Sequence, residues 1–201
     1  DGSIASKANN ELKTPPAQGD DAILWAKAIG SICPTYGMVV NKSCGLHVHV
    51  DIRDAPTLAI KRLGLLAMTV EPVLYAALPM ERRVSGMSGP LPVRRERLYK
   101  AGTGNDIERV WWEAGQGRHI GLNLQARTKH GSIEFRYHSG TLNPMKVLHW
   151  LRICTGLVDA AVAGTPATRL FHKAPADFEE RLKMLHEAAR LPDDTMAYLE
   201  R

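Results

Sequence analysis

The sequence is short of cysteine, of aromatic side chains and of long apolar runs. Its three cysteines, Cys33, Cys44 and Cys154, are an odd number with no C-x-x-C spacing. That argues against a disulfide framework or a zinc knuckle and fits a reducing, cytoplasmic setting. The longest apolar region, Leu63 to Leu78, is interrupted by Glu71 and followed by Pro79. It is too short and too polar for a bilayer span, so no membrane partner is expected. No basic start followed by an apolar stretch suggests a secretory signal. The chain opens at Asp1-Gly2-Ser3 with no Met before it, and a preceding segment is expected. No repeat or low-complexity tract is visible. Aromatic residues make up 6% and are not interleaved with the basic ones, which disfavours a nucleic-acid partner.

What is present is enough for one domain. The 201 residues are 44% hydrophobic, sufficient to bury a sizeable core. The sequence is read as a single domain, 1–201, with a long basic loop at 80–104 and a helical C-terminal segment at 165–201. The formal charge is +5, and Arg82, Arg83, Arg94, Arg95, Arg97 and Lys100 cluster in that loop. They form either a solvated basic surface or a site for an anionic ligand such as a nucleotide phosphate, whose oxygens match the guanidinium fork. Ala101-Gly-Thr-Gly-Asn105 is glycine-rich but lacks a Walker lysine; it reads as a turn capped by Asn105 or Asp106 before a short helix, Ile107 to Glu113.

Periodicity sets the rest. Two short extended pieces are expected within Asp1 to Lys13, before the breakers Pro15, Pro16 and Gly19. Asp20 or Asp21 begins a helix ending near Pro34 or Gly37. A second helix starts at Asp54 or Thr57, carries Leu58, Leu65, Leu66, Val70, Leu74 and Leu78 on one face, and stops at Pro79. His119 to Ala126 and Ser132 to His138 alternate as strands of a hairpin turning at Lys129-His130-Gly131. A largely apolar helix runs from about Pro144 to Ala163. Pro175 to Arg190 reads as an amphipathic helix with Phe178, Leu182, Leu185 and Ala189 inward. Strands joined by tight turns, with helices not alternating regularly, predict an α+β fold: an antiparallel-rich sheet with helices on its apolar face.

The stretch Cys44-Gly-Leu-His-Val-His-Val-Asp51 alternates strictly, with His47 and His49 on the face opposite Leu46, Val48 and Val50. Histidine titrates near neutrality and is the commonest metal ligand. If the strands share a sheet, Glu11, His47, His49, Asn123, Glu134 and Arg136 meet on one polar face. Carboxylates suit Mg²⁺ or Mn²⁺, and imidazole suits Mn²⁺ or Zn²⁺. A guanidinium beside a carboxylate suits a transferring phosphoryl group. The alternative for Glu134 and Arg136 is a same-strand ion pair of little energetic consequence.

Asp1-Gly-Ser-Ile4, Asn10-Glu11 before Pro15-Pro16, Cys44 to Val50, and Gly131-Ser-Ile-Glu-Phe-Arg-Tyr-His-Ser-Gly-Thr141 together resemble the amidoligase family, of the carboxylate–amine ligase group that includes glutamine synthetase and glutamate–cysteine ligase. The resemblance runs to about Trp150. It implies a curved, glutamine-synthetase-like catalytic sheet that binds ATP with Mg²⁺ or Mn²⁺. It also implies an ATP-dependent reaction that joins a small-molecule or peptide carboxylate to an amine donor through an acyl phosphate. By motif position it implies Glu11, His47, His49 and Glu134 as metal ligands. Arg136 and Glu134 would be catalytic, and His49 and Asn123 would contact the nucleotide; from the basic cluster rather than the resemblance, Arg82 and Arg83 are expected to contact it too. The family usually opens with an earlier Glu-x-Glu strand, which this chain starts after. That first strand is therefore expected to be missing from the sheet, and activity depends on it. Two other readings fit the residues: a Zn²⁺ or Fe²⁺ enzyme using His47, His49, Glu134 and His138, and a binding module without turnover.

Overall fold

The computed structural model describes residues 11–83, 86–113, 119–164 and 176–200. Helix α1 (Asp20–Thr35) follows Gly19, whose φ of 51° breaks the chain direction, and Asp20 and Asp21 sit in its first turn, where carboxylates complement the helix dipole. Helix α2 (Thr57–Ala76) is the central core helix; Ile60, Leu63, Leu65, Leu66, Val70, Val73 and Leu74 are all buried along it. Helix α7 (Pro144–Ala163) packs beside it. Asn143 caps α7, its Oδ1 accepting from the N–H groups of Met145 and Lys146, and Gly164 at φ 66° closes it.

Three strands form the sheet: β1 (Val48–Asp51), β2 (Leu122–Asn123) and β3 (Ser132–Phe135). The order is β1-β3-β2 and both pairings are antiparallel. Val48, Leu122, Ile133 and Phe135 line the apolar face and join the core of α2 and α7. Just past β3, Tyr137 lies fully buried, edge-on to Tyr75 of α2 at 5.4 Å and to Trp150 of α7 at 6.2 Å. The fold is therefore α+β with a small antiparallel sheet, as its alternation predicts. Among the described residues no helix is long and apolar enough to cross a membrane.

Several expectations are corrected. Residues 1–10, half of the expected N-terminal strand pair, lie outside the described residues. Glu11 to Lys13 form no strand; they are exposed coil, with Glu11 and Lys13 in a 3.4 Å surface ion pair. The strand expected over His119 to Ala126 is only two residues long, because Ala126–His130 winds into a helical turn (α6) closed by Gly131 at φ 69°. The 80–104 segment is not a plain loop. It holds α3 (Met80–Arg83) and α4 (Arg95–Lys100), and Gly89 bridges to Ile120. Helix α5 (Gly104–Glu113) is capped by Thr103, which exchanges hydrogen bonds with Asp106. Leu58 and Phe178, expected to face inward, are 51% and 39% exposed, because each sits in the first turn of its helix, at the rim of the core. Helix α8 (Phe178–Ala189) otherwise buries Leu182, Leu185 and Ala189 as expected, and α9 (Asp193–Leu199) follows it unforeseen.

Gly121 is where the packing tolerates least. A Cβ there would lie 2.0 Å from the Tyr137 ring, which is itself confined by Tyr75 and Trp150. Gly121→Ala should therefore destabilise the fold by about 3 kcal/mol, at the upper end of ordinary overpacking. Urea unfolding measures this, and an unchanged midpoint would contradict the packing described.

Candidate active site

The sheet register brings the polar side chains together. On β3, the middle strand, Glu134 stands opposite His49 of β1 and Asn123 of β2, so these three form one row across the sheet. One rung along, Arg136 lies beside His47. Arg136 Nη1 donates to Glu134 Oε1 at 2.6 Å, and Asn123 Nδ2 donates to Glu134 Oε2 at 2.7 Å. Glu134, Asn123 and Arg136 are buried, whereas His47 and His49 are partly open to solvent. Five of the residues singled out in the sequence thus form one cluster on the face away from α2 and α7.

Its electrostatics follow from that packing. Burial opposes the charge of Glu134. The Asn123 hydrogen bond and the fields of Arg136, His47 and His49 outweigh it and hold the carboxyl below its ordinary range. Burial, then the Arg136 charge, pull His47 down to about 4. His47 is thus neutral at neutral pH, and its 3.2 Å approach to Glu134 is an imidazole–carboxylate contact rather than an ion pair. Its Nδ1 also lies 3.5 Å from Arg136 Nη1. His49 is lowered too, chiefly by burial. Its Nδ1 pairs with Ser132 Oγ at 2.9 Å, and its Nε2 lies 3.8 Å from Glu134.

The other expected residues fall elsewhere. The charge of Glu11 reaches both histidines weakly, but its side chain is exposed. Arg82 is buried and donates to the carbonyls of Arg136 and Tyr137, so it braces the end of β3. Arg83 donates to the carbonyls of Leu78 and Ala76 and closes the end of α2. His138 is buried with both ring nitrogens engaged, by the Ser139 carbonyl and the Tyr198 hydroxyl, and does not join His47 and His49. Two partners escaped sequence reasoning. Ser132 shares the outward period of Glu134 and Arg136, so alternation alone could have found it. Glu71, on α2, carried no signal beyond being a lone charge in an apolar run.

The donor set does not by itself fit a metal. Both oxygens of Glu134 already accept protein hydrogen bonds, and a guanidinium sits against it. Among the described residues no three His, Cys, Asp or Glu side chains are grouped to hold an ion. What the cluster offers is an ionised carboxylate, two neutral imidazoles, an amide and a buried guanidinium whose Nε has no partner.

Residues 3–158 match the family described as “Putative amidoligase enzyme”. The chain belongs to the amidoligase family. The matched region holds all three strands and the whole Glu134 cluster, and it ends within α7, before α8 and α9. No curated relative and no solved structure matches the chain significantly.

Behind this amidoligase cluster, Glu71 anchors the far side of β3. Its Oε1 accepts from the Leu91 N–H at 2.9 Å and from the Tyr137 hydroxyl at 3.1 Å, and burial raises it from the ordinary 4.5 to about 7. A raised carboxyl binds its proton more tightly folded than unfolded. Stability is therefore lost as pH rises from about 4.5 to about 7, by up to about 3 kcal/mol. His47 and His138, both lowered to about 4, act in the opposite sense and favour the fold as pH rises towards 6.5. The difference between Glu71→Gln and wild type isolates the carboxyl. The variant keeps an acceptor for both donors, and its stability advantage in urea should grow between pH 5 and pH 8. A constant difference would show that Glu71 does not titrate there.

Proposed function

We propose that this chain is an ATP-dependent ligase that joins a carboxylate to an amine. The observation that carries this is the His49–Glu134–Asn123 row with Arg136 and His47 beside it, on one face of the sheet and inside the family-matched region. A carboxylate oxygen of the substrate attacks the γ-phosphorus of ATP, ADP leaves, and an acyl phosphate forms. The amine nitrogen then attacks the acyl carbon, phosphate leaves with its bonding pair, and the nitrogen gives up a proton. Arg136 steadies the transferred phosphoryl group, since a guanidinium fork matches its oxygens and gains most where charge builds up in the transition state. Glu134 and Asn123 fix that guanidinium. His49, neutral and half-open, takes the proton of the amine in this reading.

The three-stranded sheet is, in this reading, part of a glutamine-synthetase-like catalytic domain in a cytoplasmic enzyme. ATP would enter with Mg²⁺ or Mn²⁺; Glu134, His47 and His49 stand together on that face of the sheet, and Glu11 reaches it only through its charge. The described donors make no ion centre of their own. The substrates are a small-molecule or peptide carboxylate and an amine donor. Incubation with ATP, Mg²⁺ and pooled amino acids tests the reading. ADP and phosphate should appear only when the pool is present; nucleotide binding without turnover would replace the ligase with a binding module.

A further inference from the structure

Helix α1 uses one of its sides in the fold. Ala26 and Cys33 are buried, and Gly30 lies against Pro144 at the start of α7, where a Cβ would come within 2.6 Å of the proline ring. The other side is apolar and open. Leu24 is 60% exposed, Ile32 51% and Tyr36 76%, with Trp25 beside them. Past the turn at Gly37, where φ is 67°, Val39 and Val40 are exposed as well. By their exposed fractions these six residues leave roughly 600 Å² open. That is the upper end for the largest apolar patch of a monomer, and most of the roughly 800 Å² per partner that a specific interface buries.

We propose that this face is the interface of a symmetric dimer, with α1 packed antiparallel on α1 of a second copy. Leu24, Ala28 and Ile32 stand four residues apart and make one ridge along the open side. That ridge is self-complementary. A two-fold axis through Ala28 sets Leu24 against the partner's Ile32, and Ile32 against the partner's Leu24, as an isologous contact requires. The small side chain at the axis lets the two helix backbones approach closely. Charge selects the antiparallel direction. Asp20 and Asp21 occupy the first turn, so a parallel pair would crowd the carboxylates of both copies together. An antiparallel pair keeps them at opposite ends and opposes the two helix dipoles. Trp25 and Tyr36 flank the ridge and supply aromatic anchors, the residue types enriched at interfaces. None of these residues belongs to the Glu134 cluster, so the dimer stands apart from the ligase reading.

Sedimentation velocity of the full chain over a range of micromolar concentrations tests the interface. Wild type should sediment as a dimer and go no further on concentration. Leu24→Glu and Ile32→Glu should each weaken the dimer roughly a hundredfold or more, because every substitution buries two unpaired charges, one from each copy. Both side chains are exposed within one chain, so the circular dichroism of each variant should match wild type. Combining Leu24→Glu with Ile32→Lys in one chain should recover at least tenfold of that loss, since each new carboxylate then faces a new ammonium across the axis. A parallel pair would set like charges together and gain nothing. Trp112→Glu, at an exposed position of α5, should leave the dimer intact. A wild-type monomer throughout, or a dimer that survives both Leu24→Glu and Ile32→Glu, would overturn the proposal. So would a failure of the charge swap to restore pairing, or a mass that keeps growing past two copies, which marks a head-to-tail contact.

Discussion

Glu134→Gln is expected to lower turnover roughly a thousandfold or more, comparable to removing a preorganised charge from a transition-state site. The reason is the position of Glu134 rather than any single contact. It is the middle of the sheet row, paired to Asn123 on one oxygen and Arg136 on the other. A glutamine can accept from only one of these donors; its amide nitrogen meets the other donor head-on. Asn123 cannot simply turn over, because its Oδ1 already accepts from the Gln125 N–H at 2.9 Å. The Arg136 guanidinium therefore loses its fixed orientation and its charge partner. The same mismatch should cost about 2 kcal/mol of stability, which a domain of ordinary stability survives. Circular dichroism and urea unfolding separate the two effects. Full activity in a folded Glu134→Gln chain would remove this residue from the centre of the site.

Arg82→Ala is expected to destabilise the fold by about 3 kcal/mol, because two buried carbonyls lose charge-assisted donors at once. Arg82 reaches from α3 to the backbone of Arg136 and Tyr137, just beyond β3. It is a positioning residue: it braces the strand end from which Arg136 projects. Activity should fall with it, and Arg82→Lys should restore stability in part, since an ammonium reaches one carbonyl but lacks the planar fork. Arg83 makes the contrast. Its bonds to Ala76 and Leu78 only finish α2, so Arg83→Ala should cost about 1 kcal/mol and leave activity unchanged. Equal effects of the two substitutions would contradict the brace.

The strict alternation of Cys44 to Asp51 and of Ser132 to His138 made the polar cluster legible, because strand period fixes which side chains share a face. Tertiary pairing then put His49, Glu134 and Asn123 in one row, which alternation within single strands permits but does not require. The helices α1, α2 and α7 were readable from their apolar spacing; of the three only α7 carries a side-chain cap, Asn143. Less legible were the features set by long-range packing. The 119–126 segment alternates well, yet its end coils into α6. Arg82 and Arg83 are adjacent and chemically alike, and only the fold separates a strand brace from a helix cap. Glu71 was readable only as an interruption in an apolar run, since its partners, Leu91 and Tyr137, are 20 and 66 residues away.

A substrate carboxylate activated as an acyl phosphate at the Glu134–Arg136 cluster must pass one of its oxygens to the phosphate released. Turnover with ATP and an oxygen-18-labelled carboxylate pool tests it most directly, by mass spectrometry of the phosphate released. One labelled oxygen per phosphate is expected, formed with ADP and requiring an amine for sustained turnover. Unlabelled phosphate, or AMP and pyrophosphate in place of ADP and phosphate, would contradict it.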